Sequence, residues 1–443
     1  FVVVVVVAVG KRGGDDMTAT DKRGARLRSV PSGNPGLDDV LDGGFLEAGV
    51  YIFIGAPGAG KTIFANQIAF HHATHGGSVV YISLLAESHA RLFAHMEAMT
   101  FFDDAAVSHS LHYASGYQAL EQDGLDGLLQ LLRREIRDRK ATMLVLDGLV
   151  SAEAFAQSSL ALKKFVHELQ TVVSLMSCTA FLLTSGSEAH IGQPEHTMVD
   201  GLIDLCNDIV GVRQMRTLCV KKFRGSNSLG GAHAFDITNR GVTVYPRLES
   251  KVTASLSAPP EDDSQCSSGI PDLDGMLGGG VDRGSPTLLL GPAGSGKTLF
   301  ALAFLRAGLE RGEPTTYFGF HESPARLLAK AARVGSDLKR HHDSGLLHIK
   351  WQPNVDFLAD ALVDELLADV RQRRVKRLVV DSLVGLKFAI LVEERLSRFL
   401  SALANELRVM GVTTYFIDDS RALFAPGFEV PVTGLSCIVD TLL

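Results

Sequence analysis

Gly55-Ala-Pro-Gly-Ala-Gly-Lys-Thr62 decides the fold, and Gly291-Pro-Ala-Gly-Ser-Gly-Lys-Thr298 shows that it is used twice. Both stretches spell G-x-x-x-x-G-K-T. Each follows an apolar run, Val50-Tyr-Ile-Phe-Ile54 or Thr287-Leu-Leu-Leu290, and each opens a helix-forming run, Ile63 to Phe70 or Leu299 to Leu305. Strand, glycine loop and helix in that order form the context in which this motif cradles a polyphosphate. Gly55, Gly58 and Gly60, with their counterparts Gly291, Gly294 and Gly296, can take backbone angles closed to other residues, so successive N–H groups can turn inward on an anion. The helix N-terminus adds partial positive charge behind them. Lys61 and Lys297 are expected to reach the terminal phosphates of ATP, and the hydroxyls of Thr62 and Thr298 to ligate magnesium. A chance glycine turn before a lysine explains one match far more easily than two in register.

The register extends well beyond the loops. Lys297 follows Lys61 by 236 residues (297 − 61), and Ser268-Gly-Ile-Pro-Asp-Leu-Asp-Gly275 follows Ser32-Gly-Asn-Pro-Gly-Leu-Asp-Asp39 by the same interval (268 − 32). This is a duplication at domain scale, and 443 residues are enough for two full cores. Ser78 to Leu85 reads as a buried strand, with Pro314 to Phe320 as its counterpart, and Glu87 and Glu322 come directly after. A helix over Leu125 to Arg139 feeds the strand Met143 to Asp147; Leu358 to Arg374 feeds Leu378 to Asp381. An acid closing an apolar strand after such a loop reads as the second magnesium-holding group, which places Asp147 and Asp381 beside Thr62 and Thr298. Further pairs follow, Leu160 to Ser177 with Ala180 to Thr184, and Glu394 to Val409 with Thr413 to Ile417.

This alternation predicts an α/β fold of two tandem P-loop NTPase domains, each a mostly parallel sheet flanked by helices. Ligands of such sheets sit beyond the carboxyl ends of the strands, where Lys61, Glu87 and Asp147, and likewise Lys297, Glu322 and Asp381, all fall. The expected boundaries are residues 24–247 and 265–443 for the two domains, with a Pro-, Ser- and charge-rich linker over 248–264. Leu218 to Arg224 and Ala232 to Tyr245 suggest an antiparallel hairpin in the first domain. The second has no room for one before Leu443, so it is expected to be shortened or truncated at its C-terminus.

Composition excludes several classes. A net charge of −7 supplies no basic field for nucleic acid. Five scattered cysteines without a C-x-x-C pair fit reduced thiols in a cytoplasm better than a disulfide or zinc framework. No run approaches the ~20 apolar residues of a bilayer span, so no membrane partner is expected. Phe1 to Val9 is a valine block with its positive charges behind it, the wrong order for a signal peptide. Residues 1–23 are expected to be disordered or non-native, with Met17 as the candidate start.

Taken together, from about Ser32 to Leu443, these residues resemble the KaiC family, the double-domain branch of the RecA/RadA-type ATPases. The resemblance rests on the two P-loops and their Ser-Gly-x-Pro-x-Leu-Asp lead-ins, on Glu87, Glu322, Asp147 and Asp381, and on Lys222-Phe-Arg-Gly225. It implies a homohexameric double ring with ATP at subunit interfaces and a signalling or timing role through a partner protein that the sequence does not name. It further implies that Glu87 and Glu322 polarise the attacking water, and that a neighbour brings Lys222 and Arg224 to the γ-phosphate. Two departures stand out. Ala86 and His321 occupy positions where clock-type members carry a second Glu, and the family's Ser-Thr autophosphorylation pair falls at Ser436-Cys437, leaving Ser436 as the one candidate phosphoacceptor. Two other readings share the fold: a RecA/RadA-like DNA-handling ATPase, against which the acidic balance argues, and a weakly active nucleotide-dependent scaffold. Arg395, Arg398 and the pair Lys163-Lys164 are candidates for an interface.

Overall fold

The computed structural model describes residues 28–85, 89–107, 109–186, 198–254, 264–353, 357–419 and 438–443. Two sheets carry the chain. In the first, Gly201–Val210, Val50–Gly55, Thr179–Ser185, Met143–Asp147, Val79–Ser83 and Leu111–Ser115 lie side by side in that order, all parallel. In the second, the order is Thr441–Leu442, Pro286–Gly291, Thr413–Asp419, Arg377–Asp381, Thr315–Gly319 and Leu347–Trp351, again all parallel. Position for position the two orders match, so the duplication seen in sequence is also a duplication of topology. The α/β class and the two tandem, mostly parallel sheets are those the alternation predicts, and the resemblance to RecA-like domains implies the same arrangement.

Burial explains why these runs become strands. Val50–Gly55 is buried at every residue, as expected of a central parallel strand covered on both faces. Val50, Ile52 and Ile54 enter the core under the helices Tyr117–Arg139 and Ser159–Leu175, whereas Tyr51 and Phe53 enter the core under the P-loop helix Lys61–Thr74. The period of two along the strand thus feeds two cores from one sheet. In the second unit Leu288 and Leu289 divide in the same way.

Element ends differ modestly from the sequence reading. The helix expected from Leu125 begins at Tyr117, crosses a kink at Gly124 (φ 64°) and buries Leu120 on the near side. It ends at Lys140 in the left-handed conformation, and its counterpart Ala359–Arg373 ends at Arg374 in the same way. Leu248–Ala254, within the stretch read as linker, is helical.

The first sheet continues past Gly201–Val210 into three antiparallel strands, Arg213–Phe223, Ala232–Thr238 and Gly241–Tyr245. They lie against the P-loop helix. Phe235 packs 6.3 Å from Phe64, and Ile237 fills the space beside Gly60, where an added Cβ would come within 2.5 Å of it. In the second unit no described residue lies within 4 Å of the equivalent point on Gly296, and Phe300 is 39% exposed.

The two units meet through Arg395. Its guanidinium donates to both carboxylate oxygens of Glu249 (2.7 Å each) and to Asp360 (2.8 and 2.5 Å), while the Leu248 N–H also donates to Asp360. Burial pushes the Glu249 carboxyl up, but the hydrogen bonds and charge of Arg395 outweigh it and leave Glu249 below its ordinary value. Lys164, by contrast, is a solvated residue paired with Glu168 at 3.6 Å. Among the described residues no helix is long and apolar enough to cross a membrane.

Candidate functional site

Both glycine loops sit at the carboxyl end of a central strand, each entering its helix through a left-handed glycine. Gly58 and Gly60 have φ of 80° and 101°; Gly294 and Gly296 have 83° and 94°. A side chain is strained at these angles, which is why the loop needs glycine there. Lys61 curls back over its own loop, its Nζ donating to the Gly55 and Ala56 carbonyls at 2.7 and 3.0 Å. Lys297 does the same to Gly291 and Pro292 at 2.7 and 2.8 Å. Burial lowers the Lys61 ammonium below the ordinary lysine value, with the Asp147 charge pulling it partly back.

Thr62 Oγ1 donates to Asp147 Oδ2 at 3.0 Å, and Tyr81 donates its hydroxyl to the same oxygen at 2.8 Å. In the second unit Thr298 and Tyr317 meet Asp381 Oδ2 at 3.1 and 2.6 Å. Sheet register brings this about, because Ser83 lies opposite Asp147, and Gly319 lies opposite Asp381. Burial first, and then the neighbouring aspartate, push both phenols well above their ordinary range, so each remains an O–H donor. The sequence marked Thr62, Asp147, Thr298 and Asp381 but not the tyrosines. Their signal was available: Tyr81 and Tyr317 are 236 residues apart (317 − 81), in the register of the duplication.

A hydroxyl and a carboxylate oxygen side by side at the mouth of a phosphate loop fit a magnesium ion, a hard cation that takes oxygen ligands and usually keeps several waters and substrate oxygens. Among the described residues no group of three or more His, Cys, Asp or Glu forms a dedicated cage. The second loop opens on a cavity of about 450 Å³ lined by Gly294, Lys297, Thr298, Glu322, Asp381 and Asp419, within the size range of ligand pockets.

Glu322 lies on that cavity and is ion-paired to Lys330, one turn and a half into the helix Pro324–Arg333. Its Oε2 is buried and has no hydrogen-bond partner among the described residues. Lys330 was not singled out from sequence, because a lysine on an amphipathic helix reads as solvated surface. Glu87 lies outside the described residues, as do Ser436 and Cys437.

Lys222 and Arg224 do not join the first site of their own chain. Leu202 faces Lys222 and Gly201 faces Phe223, while Gly201 pairs with Tyr51 at the amino end of the P-loop strand. The P-loop begins at the other end, about 13 Å of strand away. There Arg224 Nη1 lies 3.7 Å from Asp200 and donates to the Met198 carbonyl at 3.4 Å. Burial, followed by the Arg224 charge, lowers the Lys222 ammonium.

A family model described as the KaiC ATPase matches residues 30–249 and 266–434. The chain is 26% identical over 447 residues to the circadian clock oscillator protein KaiC of Thermostichus vulcanus, an alignment covering 96% of this chain and 82% of that protein. It is 24% identical over 421 residues to the protein of that name from a Picosynechococcus species, with 92% and 80% covered. For a Nostoc species the figures are 26% over 434 residues, with 92% and 79% covered.

Proposed function

Since the chain belongs to the KaiC family of ATPases, we propose that it is a magnesium-dependent, cytoplasmic ring ATPase acting as a timing or signalling switch, with two ATP sites per chain, each closed by a neighbouring copy. One observation carries this reading: the Lys–Thr–Asp–Tyr arrangement is built twice at carboxyl strand ends, while Lys222 and Arg224 stand at the amino end of the same sheet. Cations in that position are useless to their own loop and available to the next subunit of a head-to-tail ring. Such a heterologous contact generates a ring when its rotation closes; the proposed ring is a homohexamer, and two tandem domains make it a double ring.

In each site Lys61 or Lys297 binds the terminal phosphates, and Thr62 with Asp147, or Thr298 with Asp381, holds the magnesium. When bound, the ion neutralises charge on the β- and γ-phosphate oxygens. Tyr81 and Tyr317 position the aspartates. Glu87 and Glu322 orient the attacking water, and Lys222 and Arg224 of a neighbour stabilise charge on the transferred phosphoryl group. Ser436 is the proposed acceptor of an autophosphorylation in the second domain. The proposed domain limits are 24–247 and 265–443, joined over 248–264, and the partner is a signalling protein rather than a membrane or a nucleic acid.

Phosphate release from the whole chain tests the catalytic assignment. Glu87→Gln and Glu322→Gln should each remove part of the turnover, and the double variant should lower it by about 10²–10⁴-fold. Unchanged turnover in all three would favour the scaffold reading. Radiolabelled ATP followed in parallel tests the acceptor: protein-bound label should disappear in Ser436→Ala.

A further inference from the structure

We propose that Asp419 sets the nucleotide preference of the second site, favouring a nucleoside diphosphate over a triphosphate, a distinction the first site lacks. The proposal rests on the nucleotide-binding reading of the two loops given above. Within each sheet the strand Thr179–Ser185 or Thr413–Asp419 runs beside the P-loop strand and ends level with it. Gly55 faces Ser185 in the first sheet, and Gly291 faces Asp419 in the second. The duplication therefore places an uncharged hydroxyl and a carboxylate at one and the same position beside the loop.

That carboxylate is aimed at the loop lysine. Asp419 Oδ1 lies 2.8 Å from Lys297 Nζ, which already donates to the Gly291 and Pro292 carbonyls. An ammonium has three N–H donors, and here all three are engaged. The preceding residue, Asp418, is buried and paired with Lys387 at 2.6 Å, so that lysine balances Asp418 and not Asp419. The cations lining the cavity are Lys297, Lys330 and Arg333, and Lys330 is taken by Glu322.

A lysine in this loop serves the β- and γ-phosphates. A triphosphate must bring its γ-phosphate to the ammonium that Asp419 holds, which sets phosphate oxygens against a carboxylate at close range in a partly enclosed site. A diphosphate presents only its β-phosphate to Lys297 and brings no γ-phosphate charge against Asp419. In the first site Ser185 brings no charge against either nucleotide. Since the Asp419 side chain is 53% exposed, solvent screening keeps the effect moderate.

The test uses the full chain with Lys61→Ala, so that only the second site reports, titrated with fluorescent ADP and with a non-hydrolysable fluorescent ATP analogue in the presence of magnesium. The diphosphate should bind roughly tenfold more tightly than the triphosphate analogue. Asp419→Ser and Asp419→Asn should both close most of that gap by strengthening triphosphate binding, and added salt should narrow it in the unmodified site. In the converse variant, Ser185→Asp in a Lys297→Ala chain, the gap should open at the first site. An unchanged ratio in the Asp419 variants, or equal shifts for both nucleotides, overturns the proposal alone. Failure of the Lys61→Ala chain to bind either nucleotide, while the Lys297→Ala chain binds both, overturns it together with the nucleotide reading of the second loop.

Discussion

The two loop sites agree where chemistry is expected and part company one layer beneath. Thr62, Asp147 and Tyr81 are arranged like Thr298, Asp381 and Tyr317, with corresponding hydrogen bonds of 3.0 and 2.8 Å against 3.1 and 2.6 Å. Under the first site runs a polar chain: Asn66 Nδ2 donates to the Thr62 carbonyl at 2.7 Å, and the Tyr113 hydroxyl donates to Asn66 Oδ1 at 2.6 Å. The equivalent positions in the second unit are the apolar Leu302 and Ile349, both buried. The second unit buries its polarity elsewhere. Arg377 is fully buried and donates to Glu313 (2.6 Å), to the Ser267 carbonyl (2.7 Å) and to the Phe304 carbonyl (2.9 Å), whereas Met143 stands at its position in the first. The duplicated sheet thus keeps the atoms at its carboxyl ends and lets their support diverge, through Tyr113 and Asn66 in the first unit and through Arg377 and Glu313 in the second.

The sharpest way to test that contrast is to exchange the supports. Arg377→Met installs the residue of the first unit but leaves Glu313 with Arg283 alone and takes a donor from the Ser267 and Phe304 carbonyls, and it should destabilise the second unit by about 3–5 kcal/mol in urea unfolding. A loss under about 1 kcal/mol would mean that the buried guanidinium contributes little. Asn66→Leu should cost the first unit about 1–3 kcal/mol by removing the bond from the Tyr113 hydroxyl and the side-chain bond to the Thr62 carbonyl. Adding Tyr113→Ile should recover part of this, and a double-mutant cycle with no coupling would break the network account.

A smaller effect should be common to both sites. Tyr81→Phe and Tyr317→Phe each remove one hydrogen bond to the aspartate, and each should weaken magnesium-dependent nucleotide binding about three- to tenfold. A response at only one site would show that the shared geometry hides unequal roles.

The smallest effect lies in pH dependence. Burial raises the Glu313 carboxyl, but the bonds and charges of Arg377 and Arg283 outweigh it and leave it below 4.5. A carboxyl depressed on folding contributes stability that is complete above its ordinary value and is lost as pH falls through the lower folded value. The second unit should therefore weaken from about pH 4.5 downward, and Arg377→Met should flatten that slope. An acid profile indifferent to the substitution would contradict the assignment.

Much of the fold was legible because the loops and buried strands are continuous signals. Val50–Gly55 and Met143–Asp147 are apolar throughout and end on functional residues. Leu111–Ser115 and Leu347–Trp351 escaped notice because edge strands mix His, Lys and Ser with their apolar residues. Gly124 hid the first turns of the helix that starts at Tyr117. Site residues carried by the motif could be named from sequence, whereas those acting through tertiary contact could not. A strand tyrosine such as Tyr81 reads as core until Asp147 is placed beside it, and Lys330 becomes visible only when its helix turns it onto Glu322. Asp419 gains meaning only when the sheet register sets it opposite Gly291, where its twin is Ser185.

The central claim is that each nucleotide gripped by one chain is completed by another, and complementation in mixed rings tests it most directly. Chains with Lys61→Ala and chains with Arg224→Ala, both carrying Glu322→Gln to silence the second site, should be nearly inactive alone. After subunit exchange at equal amounts, turnover should return to about a quarter of the Glu322→Gln parent, the share of interfaces pairing an intact loop with an intact arginine. Mixtures that stay as inactive as their components would contradict the account.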